Sequence, residues 1–203
     1  MKRFFAIGII LSAVFFTACE KKETLSFVNQ NMVNNTCTNC PKVTIDLPQA
    51  QPENEITSKI NQDINKFVIN ILNYSEEKTT DSLDAAIEIF RSDYKKLKER
   101  FPEDIIPWEA TINGTISFQN TLFTSIKIES YIFTGGAHGY GSITFLNYDT
   151  KTGKALTAED LFTDKGAFVD YAEKLFREEE KIKPDANINS TGFMFENDNF
   201  HLP

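Results

Sequence analysis

Histidine and cysteine are scarce in this chain, at two and three among 203 residues. A closed zinc site takes about four ligands. Beyond Cys37 and Cys40 the chain offers only His138 and His201, so neither a metal centre nor a cofactor is expected. Basic residues are in deficit, 21 against 29 acidic, for a net charge of −8. That balance opposes nucleic-acid phosphates, excluding a nucleic-acid partner, and would steer a cationic partner; its bland reading is solubility. HExxH, GxSxG, a Walker loop and a paired-carboxylate motif are all absent, so no catalytic residue is nominated. After residue 16 no apolar run approaches the roughly 20 residues that span a bilayer.

What is present begins at the N-terminus. Lys2 and Arg3 precede an apolar stretch over residues 4–16, which is too short for a span and reads as a signal sequence. It closes on Phe16-Thr17-Ala18-Cys19. This resembles a lipoprotein signal, with Phe16 in place of the usual leucine, and the resemblance implies that Cys19 becomes the lipidated mature N-terminus. The alternative is an ordinary secretory signal with an incidental cysteine. Removing residues 1–18 takes away two basic residues and no acidic one, leaving a net charge of −10. Several acyl chains at ~0.8 kcal/mol per buried methylene would hold such a protein to a membrane durably. The expected localisation is therefore the cell envelope, anchored and facing the periplasm or exterior.

Cys37 and Cys40 form a CxxC outside the reducing cytosol. A redox pair sits at a helix start that lowers the thiol pKa, whereas Pro41 and a strand-like segment over residues 42–45 follow here. Compartment and spacing favour a small local disulfide, with redox chemistry and zinc as alternatives.

Residues 19–41 read as the lipidated cysteine and a polar tether, and 42–203 as one envelope domain with subregions 42–150 and 151–203. A strand over Val43, Ile45 and Leu47 is predicted to end at Pro48. Ile56, Ile60, Ile64, Phe67 and Ile71 recur at helical spacing. A second helix carries Leu83, Ile87, Phe90, Tyr94 and Leu97, with Asp81 as candidate cap and Pro102 as its stop. From Trp108 to Phe118 apolar residues alternate, and two further strand-like runs cover residues 122–133 and 143–148. A turn at residues 149–154, a capping box at residues 157–160 and a last helix from about Gly166 complete the pattern. The fold class is α+β: an antiparallel meander sheet with long amphipathic helices packed on one side.

One compact segment stands out, Tyr131-Ile132-Phe133-Thr134-Gly135-Gly136-Ala137-His138-Gly139-Tyr140-Gly141. Four glycines around a histidine between two strands imply tight backbone conformations or a close approach. A phosphate cradle would open a helix and include lysine, and this loop returns into a strand. No carboxylate within it is placed to orient the imidazole. Tyr131, Phe133, His138 and Tyr140 are the candidate ligand-binding residues; the bland reading keeps the glycines as turn formers and the aromatic side chains as core.

That segment, with Asn147-Tyr148-Asp149, Thr152-Gly153-Lys154 and Glu159-Asp160-Leu161-Phe162, resembles the paired domains of unknown function found before the catalytic domain of peptidoglycan deacetylases and in the extracellular part of a lysozyme-sensing anti-sigma factor. The resemblance covers roughly residues 42–203. It implies an α+β envelope domain, one relative of which binds lysozyme as a receptor. In the family a segment like 193–203 continues into a final hairpin and strand, so the resemblance implies an incomplete second subregion. Neither the deacetylase domain nor a transmembrane and sigma-binding region lies among these residues, so hydrolase activity is not carried over. The expected function is an envelope binding module for a lysozyme-like cationic protein or a cell-wall glycan. The alternatives are an accessory or catalytic domain acting on peptidoglycan and an envelope scaffold.

Overall fold

The computed structural model describes residues 24–34, 40–73, 80–102 and 106–201. The signal sequence, Cys19 and Cys37 lie outside them. Five strands form one sheet in the order β1-β2-β3-β4-β5: Ser26–Asn34, Lys42–Gln51, Glu109–Gln119, Phe123–Phe133 and Tyr140–Asp149. Two long helices, α1 (Glu55–Leu72) and α2 (Leu83–Arg100), connect β2 to β3. Only that pair is parallel, since a helical crossover is what returns the chain in the same direction. The remaining pairs are antiparallel, and β3, β4 and β5 make the expected meander.

The register fixes two ends. Asn34, Lys42, Glu109, Phe133 and Tyr140 stand at one, and Ser26, Gln51, Gln119, Phe123 and Asp149 at the other. One face of the sheet buries Val43, Ile45, Ala110, Ile112, Ile126, Ile128 and Tyr148 in a core shared with the helices. The buried stripe of α1 is Ile60, Ile64, Val68 and Leu72, while Ile56, Phe67 and Ile71 pack partly buried at its margin. The helix begins at Asn54, whose Oδ1 accepts from Ile56 N at 2.9 Å and Thr57 N at 3.1 Å, while Asn54 N donates back to Thr57 Oγ1. Such a reciprocal cap satisfies amides the first turn leaves unpaired.

Several boundaries differ from the sequence reading. Residues 26–34, taken as tether, form β1 at the edge of the sheet, because backbone pairing with β2 organises a segment too polar to announce a strand. Strand β2 continues through Pro48 to Gln51. Its parallel pairing with β3 reaches only Asp46, so no ladder partner on that side loses a bond to the missing proline N–H. The proline ring instead takes the space a side chain on Gly114 would fill, since a Cβ there would stand 2.7 Å from Pro48 Cδ. The cap of α2 is Ser82 rather than Asp81: Ser82 Oγ accepts from Ala85 N at 3.4 Å. Strand β5 starts at Tyr140, three residues before the predicted run.

Beyond β5 come α3 (Ala158–Leu161) and α4 (Lys165–Glu179). The capping box forms as expected, with Asp160 Oδ2 accepting from Thr157 N at 2.9 Å. No residue of α4 is buried, and the described residues beyond Tyr148 stay outside the core shared with α1 and α2, although Ile182 and Ile188 are buried. Phe176 instead meets Phe193, Phe195 and Phe200, with ring centroids 4.8, 5.3 and 5.6 Å away. These rings form an aromatic cluster of their own beyond β5.

Candidate functional site

The glycine loop joins β4 to β5 at the end of the sheet that carries Lys42 and Glu109. Gly135 and Gly136 adopt φ of +101° and +87°, left-handed values that other residues rarely take, and open space surrounds both. They turn the chain so that His138 and Tyr140 come back over the helix side of the sheet. Gly139 has a different role: a Cβ there would lie 2.5 Å from Tyr131 Cζ, so the tyrosine ring sits directly against the loop backbone.

A cavity of about 450 Å³ opens beside this loop. His138, Gly139, Tyr140 and Thr134 come from the loop and its flanks; Ser130, Ile132 and Ser142 from β4 and β5; Ile71, Asn73 and Phe90 from the helical layer. Ser130 Oγ and Ser142 Oγ are hydrogen-bonded at 2.8 Å, a pair directly opposed across β4 and β5. His138 Nδ1 lies 3.2 Å from the Gly139 carbonyl oxygen, to which it donates in the tautomer protonated there. Tyr140 is 74% exposed, leaving its ring face to the rim. Among the described residues, no lysine, arginine, aspartate or glutamate lines the cavity.

On the other flank of the loop, Thr134, Gly135 and Gly136 border a second cavity of about 460 Å³ with Leu97, Phe101, Ile106 and Trp108. Trp108 is buried, with Phe90 and Tyr94 at ring-centroid distances of 5.2 and 5.9 Å, so the loop rests on a firm aromatic base. Aromatic pairs at that spacing pack favourably beyond their area alone. A third hollow, about 500 Å³, lies along α2 beside Cys40 and Pro41 and mixes Arg91, Lys95 and Lys98 with Glu88 and Glu99. Its Arg91 is already paired to Glu88 at 3.0 Å. Cys40 is disulfide-bonded.

The four residues nominated from sequence divide between the two faces. His138 and Tyr140 line the first cavity. Tyr131 and Phe133 occupy alternate β4 positions on the opposite face, the former 42% exposed and the latter half-buried. Asn73, Phe90, Ser130 and Ser142 complete the cavity and escaped the sequence reading. The two serines did leave a mark, because each occupies an inward position of its strand where the alternation calls for an apolar residue. Asn73 and Phe90 left none, since their proximity depends on how the helices cross the sheet. Among the described residues, no group of three or more His, Cys, Asp or Glu is arranged to hold a metal, and no helix is long and apolar enough to cross a membrane.

Two solved structures share this architecture. A DUF3298 family protein from Pseudomonas aeruginosa PAO1 superposes with a TM-score of 0.55 at 21% identity, over 84% of this chain and 74% of that one. A DUF3298 family member from Bacteroides fragilis NCTC 9343 gives a TM-score of 0.53 at 21% identity, over 79% and 70%. At that identity the likeness establishes the fold. No curated protein matches the chain. The family model for deacetylase PdaC matches residues 34–140, from the end of β1 through the glycine loop to the first residue of β5. With just over half of its length so matched, the chain belongs to the PdaC family, whose members are tied to deacetylases and the cell envelope.

Proposed function

We propose that this protein is an envelope binding module, anchored through a lipid on Cys19, that takes an uncharged segment of cell-wall glycan into the cavity beside the glycine loop. One observation carries the choice of ligand. In a chain of which 25% of residues are charged, none of the described residues lining this cavity is. Ser130, Ser142, Thr134 and Asn73 offer hydroxyl and amide groups, Ile71, Phe90 and Ile132 an apolar wall, and Tyr140 an exposed ring at the rim. A few polar groups converging over an apolar wall is the usual make-up of a small-ligand site, and it suits a neutral, hydroxyl-rich ring better than an ion. The family's name supports this reading, because it is that of a deacetylase and cell-wall glycan carries N-acetyl groups.

A second reading has its own support. The net charge of −8 would draw a cationic envelope-directed protein such as lysozyme. Phe101, Ile106, Tyr131 and Tyr140 are exposed around the loop end and suit the anchors of a protein interface.

Calorimetric titration of the protein with oligomers of N-acetylglucosamine, and separately with lysozyme at low and physiological salt, separates the two. An acidic protein of similar size controls for charge. Glycan binding should saturate and fall at least about tenfold, equivalent to ~1.4 kcal/mol, in a His138→Ala/Tyr140→Ala variant that keeps its melting temperature. Lysozyme affinity that persists at physiological salt and exceeds the control, with no glycan binding, selects the second reading. Binding of neither removes both.

A further inference from the structure

The chain joins the sheet far sooner than its polarity suggests. Read from sequence, residues 19–41 are a tether that would let the domain stand about 80 Å from Cys19, at ~3.5 Å per residue. In the structure β1 already takes up Ser26–Asn34, and Gln119 Nε2 donates to Leu25 O at 2.9 Å, so the chain is fastened from Leu25 onward. Only five residue steps separate Cys19 from Thr24. Whatever conformation they take, they span at most about 18 Å.

The point at which this link enters the domain is equally defined. Ser26 pairs with Gln51, so β1 starts at the end of the sheet that carries Gln119, Phe123 and Asp149. The turn between β3 and β4 and the turn after β5 are bonded there into one tip. Thr150 N donates to Leu122 O at 3.0 Å, Thr150 Oγ1 to Thr121 O at 2.8 Å, and Leu122 N to Asn120 Oδ1 at 2.8 Å. Thr24, Leu25, Thr121 and Lys151 border a common hollow, which sets the entry of the chain beside this tip. Leu122 is 62% exposed on it. The glycine loop stands at the opposite end of β4, whose 11 residues set the two ends about 33 Å apart at ~3.3 Å per step.

We propose that this tip rests against the lipid bilayer that holds the acyl chains of Cys19, with Leu122 entering the headgroup layer and Lys151 reaching lipid phosphates, so that the glycine-loop cavity points away from the membrane. The inference rests on the acylation of Cys19 proposed above. Two lengths carry it. With the domain inverted, Thr24 would stand about 33 Å from the surface, beyond the ~18 Å that the link can reach. Covalent geometry alone therefore excludes the inverted domain. One leucine and one lysine bind a bilayer weakly, but so short a link keeps them at a high local concentration beside it. Lysine suits the position, because its methylene stem can lie along apolar surface while the charge stays at headgroup level.

Energy transfer to the membrane tests this on the acylated protein, purified whole and placed in phosphatidylcholine vesicles that carry a headgroup acceptor dye. A donor dye is attached to a cysteine introduced at Thr121 or at Ala137, both exposed, with the unsubstituted protein as the labelling blank. Transfer from 121 should exceed that from 137 at least about threefold, given the separation of the two ends. Inserting about 15 Gly/Ser residues between Glu23 and Thr24 should keep the protein on the vesicles and bring the two efficiencies together, since a flexible link of that length frees the domain to turn. If Thr121→Cys lowers the melting temperature, Glu53→Cys, exposed just after β2 at the same end, supplies the donor site. Mass spectrometry of the N-terminal peptide separates the two ways to fail. Equal transfer from both sites, or more from 137, with acyl chains present on Cys19 overturns the orientation and leaves the anchoring intact. A Cys19 without acyl chains overturns both. A difference that survives the longer link undiminished overturns the short link as its cause.

Discussion

The hydroxyl of Tyr148, on the last strand, donates to Asp63 Oδ2 on the first helix at 2.8 Å, from a residue with no exposed surface. The bond joins residues 85 positions apart and holds β5 against α1. Burial is the main reason that the phenol's pKa lies far above its ordinary value, followed by the hydrogen bond to Asp63 and its negative charge. The unfolded chain loses this proton near pH 10 and the folded one keeps it. The contribution to stability is therefore complete below pH 10 and declines as pH rises beyond it. Replacing Tyr148 with Phe should cost about 1 kcal/mol at pH 7, read from urea unfolding, because Asp63 is exposed and regains water. The variant should also flatten the loss of stability above pH 10; an unchanged alkaline slope would mean that Tyr148 is not the group responsible.

Asn61 supports the same layer differently. Its side-chain Oδ1 accepts from Ala50 N at 2.8 Å and its Nδ2 donates to Ala50 O at 3.1 Å, so the amide acts as a short stretch of strand alongside β2. Alanine at 61 leaves both groups of the buried Ala50 without this partner, for an expected loss of roughly 1–3 kcal/mol. Thermal unfolding of Asn61→Ala against Asn61→Asp distinguishes the two bonds, since aspartate keeps the acceptor and loses the donor.

Gly153 closes the turn after β5 at a φ of +68°, and a Cβ placed on it would lie 2.5 Å from the Ile56 carbonyl oxygen in the first turn of α1. Both backbone strain and a contact with rigid backbone oppose any side chain. Gly153→Ala should destabilise by roughly 2 kcal/mol or more, visible as a lower melting temperature. The same substitution at Gly166, where the nearest atom is Asp164 Oδ1 at 3.5 Å and no left-handed φ is required, should be close to neutral and serves as the control.

The sequence was explicit wherever local periodicity has a single physical solution. Ile60, Ile64 and Leu72 could face one way only if the segment is helical, and Ala110, Ile112 and Gly114 share a face only in a strand. Glycines around His138 marked a loop of unusual conformation, and the positive φ values of Gly135 and Gly136 are the form it takes. The polar strand β1 was not legible, because its order comes from backbone bonds to β2, to which side-chain hydropathy is blind.

By itself, then, the sequence determined the α+β class, the two long helices, the meander and the position of the glycine loop, since each follows from contacts within a few residues or from the alternation of one strand. Tertiary structure alone decided which residues surround that loop. It brought Asn73 and Phe90 from the helices to Ser130 and Ser142 on the strands, and it sent Tyr131 and Phe133 to the face away from His138 and Tyr140. The physical reason is one of range: hydropathy and turn chemistry act along the chain, whereas a cavity or a sheet edge exists only once strands have chosen their neighbours and helices their crossing.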